Sequence, residues 1–167
     1  FIGCDFNVTQ QAATTYVLRG DAFHAVDELS GMYDTPEMIE TFQSRYAGHP
    51  IYVYPDASGR ARKTVNASQS DIALLEQAGF MVRVNKRNPA VKDRVLAMNA
   101  ALDNGRVRVN ANKCPTVAAC LEQQVYKNGE PDKTSGNDHQ NDATTYPIAY
   151  ELPVVKPVAN VAFSFAL

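Results

Sequence analysis

Phe1-Ile-Gly-Cys-Asp-Phe-Asn-Val8 alternates residue by residue. Ile2, Cys4, Phe6 and Val8 fall on one face of an extended chain, and Gly3, Asp5 and Asn7 on the other. That period of two reads as a β-strand with one face in the core. Two more strand-like runs follow, at about residues 13–18 and 22–30, with Gly20-Asp21 as the tight turn between them. The chain therefore opens as an antiparallel meander of three strands.

Beyond the meander, strands alternate with helices. A helix over about 36–47 starts at Thr35-Pro36, with Thr35 as its N-cap and Pro36 in the first helical position. Met38, Ile39, Phe42 and Tyr46 give it an apolar stripe. Ile51-Tyr-Val-Tyr54 is a short buried strand ending at Pro55-Asp56, and 57–67 is a polar, basic loop. Ser68-Gln-Ser-Asp71 resembles a capping box and opens a helix that closes near Gly79. Phe80–Val84 is a further strand. Asn88-Pro89 starts a long helix with Val91, Val95, Met98 and Leu102 at helical spacing, closed by Asn104-Gly105. Val107 and Val109 mark a short strand. A helix over about 115–127 carries Val117, Cys120, Leu121 and Val125, and 128–137 is a turn-rich loop. A last helix begins with Asn137 as its cap, and Pro147 ends or kinks it. Residues 151–167 show no pattern. The order predicts class α/β: a mixed central sheet, three antiparallel strands then parallel ones, flanked by helices.

A chain of 167 residues is long enough for one domain with a real core. No segment resembles a signal peptide, and no apolar run is long enough to span a membrane. Cys4, Cys114 and Cys120 form neither an even framework nor a close pair, which favours buried, reduced thiols over a zinc site. The net charge of −2 is low for a stand-alone DNA-binding domain, where phosphate contacts dominate affinity. The abrupt start in an apolar strand reads as a fragment of a longer protein. The phosphate-cradling G-x-x-x-x-G-K-[ST] and the nucleophile motif G-x-S-x-G are both absent, and no Cys–His pair stands out.

Acidic residues carry the chemistry. Asp5 lies mid-strand, where Asp is disfavoured, and its sequence neighbours offer no cation. Gly3 beside it lets a backbone or an ion approach. Asp56 follows a buried strand, and in open α/β sheets ligands gather beyond the carboxyl ends of strands. Asp138 and Asp142 are four apart on a helix and share a face, where like charges repel. The helix dipole accounts for Asp138 near the N-terminus, and a shared cation accounts for both. Carboxylates converging from distant positions suit Mg²⁺ or Mn²⁺, and two such ions can run an in-line phosphoryl displacement. His139 points about 100° away from Asp138 and reads as a surface or supporting histidine. Arg60, Arg62 and Lys63, then Arg83, Lys86, Arg87, Lys92 and Arg94, form basic clusters that are either solvated faces or phosphate contacts. Of these, Arg60, Arg62, Lys63, Lys86, Arg87 and Arg94 are the candidate DNA contacts.

Gly3-Cys-Asp-Phe-Asn7, Tyr54-Pro-Asp-Ala-Ser-Gly-Arg60, the long helix with Arg94, and Asp138-His-Gln-Asn-Asp-Ala143 followed by Tyr146 resemble the C-terminal nuclease domain of the large terminase subunit of tailed, headful-packaging bacteriophages. The similarity covers about residues 1–150, leaving 151–167 as a tail. It implies a ribonuclease H-like fold and cleavage of double-stranded DNA by two Mg²⁺ or Mn²⁺ ions during genome packaging. Asp5, Asp56 and Asp138 are the implied ligands, with Asp142 adjacent. Relatives of the fold use either the Asp138 or the Asp142 position, and the packaging enzymes favour the first. The implied partners are an ATPase domain in the same protein, the small terminase subunit and the portal, in the cytoplasm of an infected bacterium. A junction resolvase or transposase-type nuclease, or a domain that binds a packaging partner without catalysis, are the alternatives.

Overall fold

The opening alternation becomes strand β1 (Ile2–Asp5) in a computed structural model that describes residues 1–6, 11–60, 70–127, 130–132, 136 and 138–154. β2 (Gln11–Arg19) and β3 (Ala22–Met32) complete the meander, and Gly20 turns the chain at φ 62°. After α1 (Thr35–Arg45), strand β4 (Tyr52–Pro55) joins β1 in parallel. A short 3₁₀ helix (Ala57–Arg60), α2 (Asp71–Gln77), the two-residue β5 (Met81–Val82), α3 (Val91–Asp103), β6 (Val107–Val109) and α4 (Pro115–Gln123) follow. A small hairpin, β7 (Tyr126–Lys127) and β8 (Glu130–Pro131), leads to α5 (Asp138–Glu151). The main sheet runs β5-β4-β1-β2-β3-β6: antiparallel through the meander and parallel at both flanks.

β1 is central, and here the structure departs from the one-face expectation. Both of its faces are covered, and all four residues are buried. Ile2 and Cys4 pack with Leu29, Met38, Phe42, Val53 and Leu75 beneath α1 and α2. On the other side Tyr16, Phe23, Met98, Val107, Val117 and Ile148 form a second cluster under α3, α4 and α5. Side chains buried this fully each contribute about 1.5–3 kcal/mol.

α5 is seated on the sheet by polar contacts. The Tyr16 hydroxyl donates to the Thr144 carbonyl at 2.9 Å, the Thr14 and Thr144 hydroxyls meet at 2.8 Å, and Gln140 Nε2 donates to the Ala13 carbonyl at 3.1 Å. The helix runs through Pro147 to Glu151 rather than stopping there. Proline removes the donor for the carbonyl four residues back, that of Ala143. That carbonyl lies against Gly3, where a Cβ would strike it and would come within 2.7 Å of Pro147 Cδ.

Other boundaries shift for local reasons. Asp34, not Thr35, caps α1, accepting from the Glu37 amide at 2.9 Å; Thr35 is buried, and its hydroxyl donates to Asp71 at 2.7 Å. Ser70, not Ser68, caps α2 by accepting from the Ala73 amide. The buried stripe of α3 is Arg94, Ala97, Met98 and Ala101, rotated from the expected Val91, Val95, Met98 and Leu102. α4 stops at Gln123, so Val125 is exposed. Ser68, the Asn137 cap, Asn7 and Val8 of the opening strand, and 155–167 of the tail lie outside the described residues.

Candidate active site

β1 and β4 are parallel neighbours; β1 ends in Asp5, and Asp56 follows the last residue of β4. Cys4 is in register with Pro55, and the Asp56 amide donates to the Cys4 carbonyl at 2.9 Å, which sets Asp5 and Asp56 side by side at the carboxyl edge of the sheet. α5 starts above that edge. Its His139 Nδ1 stands 2.9 Å from Asp5 Oδ2, and His139 Nε2 is 4.0 Å from Asp138. The histidine is thus a supporting group, linked to an acid of β1 and close to one of its own helix.

Asp5 is buried, with 8% of its side chain exposed. Burial pushes its carboxyl up to about 6, opposed by the bond to His139 and reinforced by the charges of Asp142 and Asp56. Asp56 is held from two sides: its Oδ1 accepts from the Ser58 amide at 2.7 Å and from Asn88 Nδ2. Asn88 Oδ1 in turn accepts from the Ala57 amide at 2.8 Å, so one side chain braces both the acid and the turn behind it. Asp142 Oδ1 pairs with Arg94 at 2.8 Å. Tyr146 lies beneath the acids, its hydroxyl pKa pushed up chiefly by burial.

Asp5 and Asp56 meet at one edge, as the sequence led us to expect, but the sequence does not foresee how the acids are held. Asp5 is taken up by His139, Asp56 by Asn88, and Asp142 by Arg94. As placed, no three His, Cys, Asp or Glu side chains among the described residues group closely enough to enclose an ion. The donors still fit a hard divalent cation in chemistry. They are carboxylate oxygens, and Asp5 is buried under two like charges that a cation would relieve.

The basic candidates separate. Lys86 and Arg87 are exposed in the loop leading to Asn88. Arg60 is exposed as well, and donates to the Val84 carbonyl at 3.2 Å, bracing that loop. Arg62 and Lys63 lie outside the described residues. Arg94 is corrected: it is 3% exposed, bonds Asp142 and Thr145, and stacks over Tyr146, so it is no surface phosphate contact. Asn88, read only as a helix start, was missed as a brace. Its signal was position, in the same basic loop as Lys86 and Arg87.

With antiparallel strands first, a parallel partner beside β1 and a last helix packed on β1, the chain matches, over residues 2–151, the model of the Terminase RNaseH-like domain. The chain belongs to this family. Its fold is ribonuclease H-like. Among solved structures it resembles the large terminase of a thermophilic bacteriophage, with a TM-score of 0.72 and 22% identity over 90% of this chain and 39% of that one. It also resembles the P22 large terminase nuclease domain, with a TM-score of 0.63 and 19% identity over 87% of this chain and 77% of that one. The third is the large terminase nuclease domain of bacteriophage SPP1 with bound Mn, at 0.59 and 19%, over 87% and 82%. The chain spans about two fifths of the thermophilic phage's large terminase. No curated protein matches it.

Proposed function

We propose that this terminase domain is a metal-dependent endonuclease that cuts double-stranded DNA during viral genome packaging. The observation that carries the reading is that Asp5 and Asp56 sit side by side at the ends of adjacent parallel strands, with the acids of α5 above them. The family match supports it, as does the bound Mn of the SPP1 domain.

Asp5 and Asp56 would hold the cations, Mg²⁺ or Mn²⁺, together with Asp138 or Asp142. Two ions bound there supply Lewis-acid activation of the attacking water and stabilisation of the leaving 3′ oxygen. Asn88 and the Ser58 amide hold one Asp56 oxygen, so the carboxylate has little rotational freedom to lose. His139 orients Asp5 through Nδ1. Lys86 and Arg87, exposed beside Asn88, receive the phosphate backbone, offsetting the negative charge of the acid edge. Double-stranded DNA is the substrate. An ATPase domain in the same protein, the small terminase subunit and the portal are the partners, in the cytoplasm of an infected bacterium.

The test is relaxation of supercoiled plasmid by the domain. Nicking and linearisation should appear with Mn²⁺ or Mg²⁺, vanish with EDTA, and be lost in folded Asp5→Asn and Asp56→Asn. Cleavage that survives EDTA would refute the metal mechanism. Cleavage confined to four-way junctions would move the domain to the resolvase-type reading. Full binding to a packaging partner with no cleavage in any metal would leave the non-catalytic one.

A further inference from the structure

We propose that Arg94 is a positioning residue that holds Asp142, rather than Asp138, as the last-helix acid acting with Asp5 and Asp56. The inference rests on the metal-dependent reading above.

Arg94 projects from α3 into the interface with α5 and is 3% exposed. A guanidinium buried this far is tolerated only when paired, and removing the partner strands the charge. Its polar contacts are Asp142 Oδ1 at 2.8 Å and Thr145 Oγ1 at 3.2 Å, with the Tyr146 ring centroid 4.6 Å away; among the described residues its Nε has no hydrogen-bond partner. Asp142 therefore cannot swing out to solvent without leaving the cation unpaired, even though the charge of Asp5 repels it. Arg94 occupies one carboxylate oxygen. The Asp142 side chain keeps 30% exposure, so the pairing does not seal it from solvent.

Asp138 has no such anchor among its described contacts. Like Asp142 and Arg94, it lines the groove between α3 and α4, and it shares a stripe with Asn141, which donates to the Cys120 carbonyl and to Gln124 on the α4 side. Its described link to the acid edge is the 4.0 Å approach to His139 Nε2. Of the two α5 acids, Asp142 is thus the one held in place by a buried cation, whereas the described contact of Asp138 is the approach to His139. Lysine at 94 would keep the charge but could not reach Asp142 and Thr145 together while stacking on Tyr146.

Mn²⁺ titration calorimetry on metal-free protein, with plasmid cleavage and melting temperature in parallel, tests this on R94M, R94K, D142N, D138N and the double variant R94M/D142N. Mn²⁺ affinity should fall at least about tenfold in R94M, partly recover in R94K, and fall further in D142N than in D138N. In the D142N background R94M should add little, because Arg94 acts through that carboxylate. The double variant removes both charges and should melt above R94M. If R94M melts below the assay temperature, R94K against wild type and D142N carries the comparison. Wild-type Mn²⁺ affinity in a folded Arg94 variant, an equal loss from R94M in both backgrounds, or a greater loss in D138N than in D142N would overturn the inference. Absence of Mn²⁺ binding and cleavage in the wild type itself would instead overturn the nuclease reading.

Discussion

The carbonyl of Ala143 rests against the α-carbon of Gly3, so the last helix and the first strand touch without a side chain between them. Pro147 makes the contact possible from one side by leaving that carbonyl without its helical donor, and Gly3 from the other by having no Cβ. The site depends on it. Asp5 lies two residues along β1 from Gly3, and His139 one turn along α5 from Ala143.

Gly3→Ala should therefore push α5 off the sheet. Overpacking of this kind costs about 3 kcal/mol, a fall in Tm of about 10 °C for a domain of this size. Thermal melts of the metal-free variant check this, and a Tm within about 2 °C of wild type would show that the helix slides aside at little cost.

Asp5 gives the metal-free protein a pH signature. Its carboxyl is raised from the ordinary value near 4 to about 6, so folding favours the protonated form. The stability that this protonation contributes is complete below about pH 4 and is lost as pH rises through 6. The difference amounts to about 3 kcal/mol. Asp5→Asn keeps the shape and removes the charge, so it should match wild type near pH 4 and exceed it above pH 7. Denaturant melts across pH 4–8 read this directly, and a variant less stable than wild type at pH 7.5 would contradict it. Divalent cations, which favour the ionised form, should bind more weakly below pH 6.

Asn88→Ala removes the brace on Asp56 and frees the Ala57 amide. Cleavage should fall about tenfold, with a smaller change in Tm, because both groups lie near solvent. A charged hydrogen bond of this kind contributes about 1.5–3 kcal/mol where it is well formed. Equal cleavage rates for variant and wild type would remove Asn88 from the site.

Lys86→Ala and Arg87→Ala address grip on DNA. Each lost phosphate contact should flatten the dependence of log affinity on log salt by about 0.9, without altering the Mn²⁺ requirement or the Tm. Binding measured by fluorescence anisotropy at several salt concentrations decides it, and an unchanged slope in the double variant would place the DNA elsewhere.

The fold was legible where burial writes a strong period. Ile2-Gly-Cys-Asp5 alternates, and the strand-helix order after it matches the observed sheet. The long helix was legible in extent but not in orientation. Ala97 and Ala101 bury the face that carries Arg94, whereas the more conspicuous valines lie half-buried along a groove. Small residues permit close helix packing yet scarcely register in an apolar pattern. Arg94 was misread for a related reason: a buried arginine looks like a surface one until its partner, 48 positions away at Asp142, is known. Pro147 was read by its usual effect, and only the contact of Ala143 with Gly3 shows why the helix tolerates it. The meeting of Asp5 and Asp56 at one sheet edge was readable because carboxylates at strand ends are uncommon. Their individual holders were not, since His139 and Asn88 reach them across 134 and 32 residues of chain.

That span has a consequence for timing. Asp5 and His139 come together only when the strand near the start of the domain has received the helix at its end, and contacts so distant in sequence form late because the loop between them must close first. A partly synthesised or partly folded chain would carry Asp5 and Asp56 without the roof that α5 provides. In a domain wired in this way, the acids and the groups that hold them come together only in the step that completes the fold.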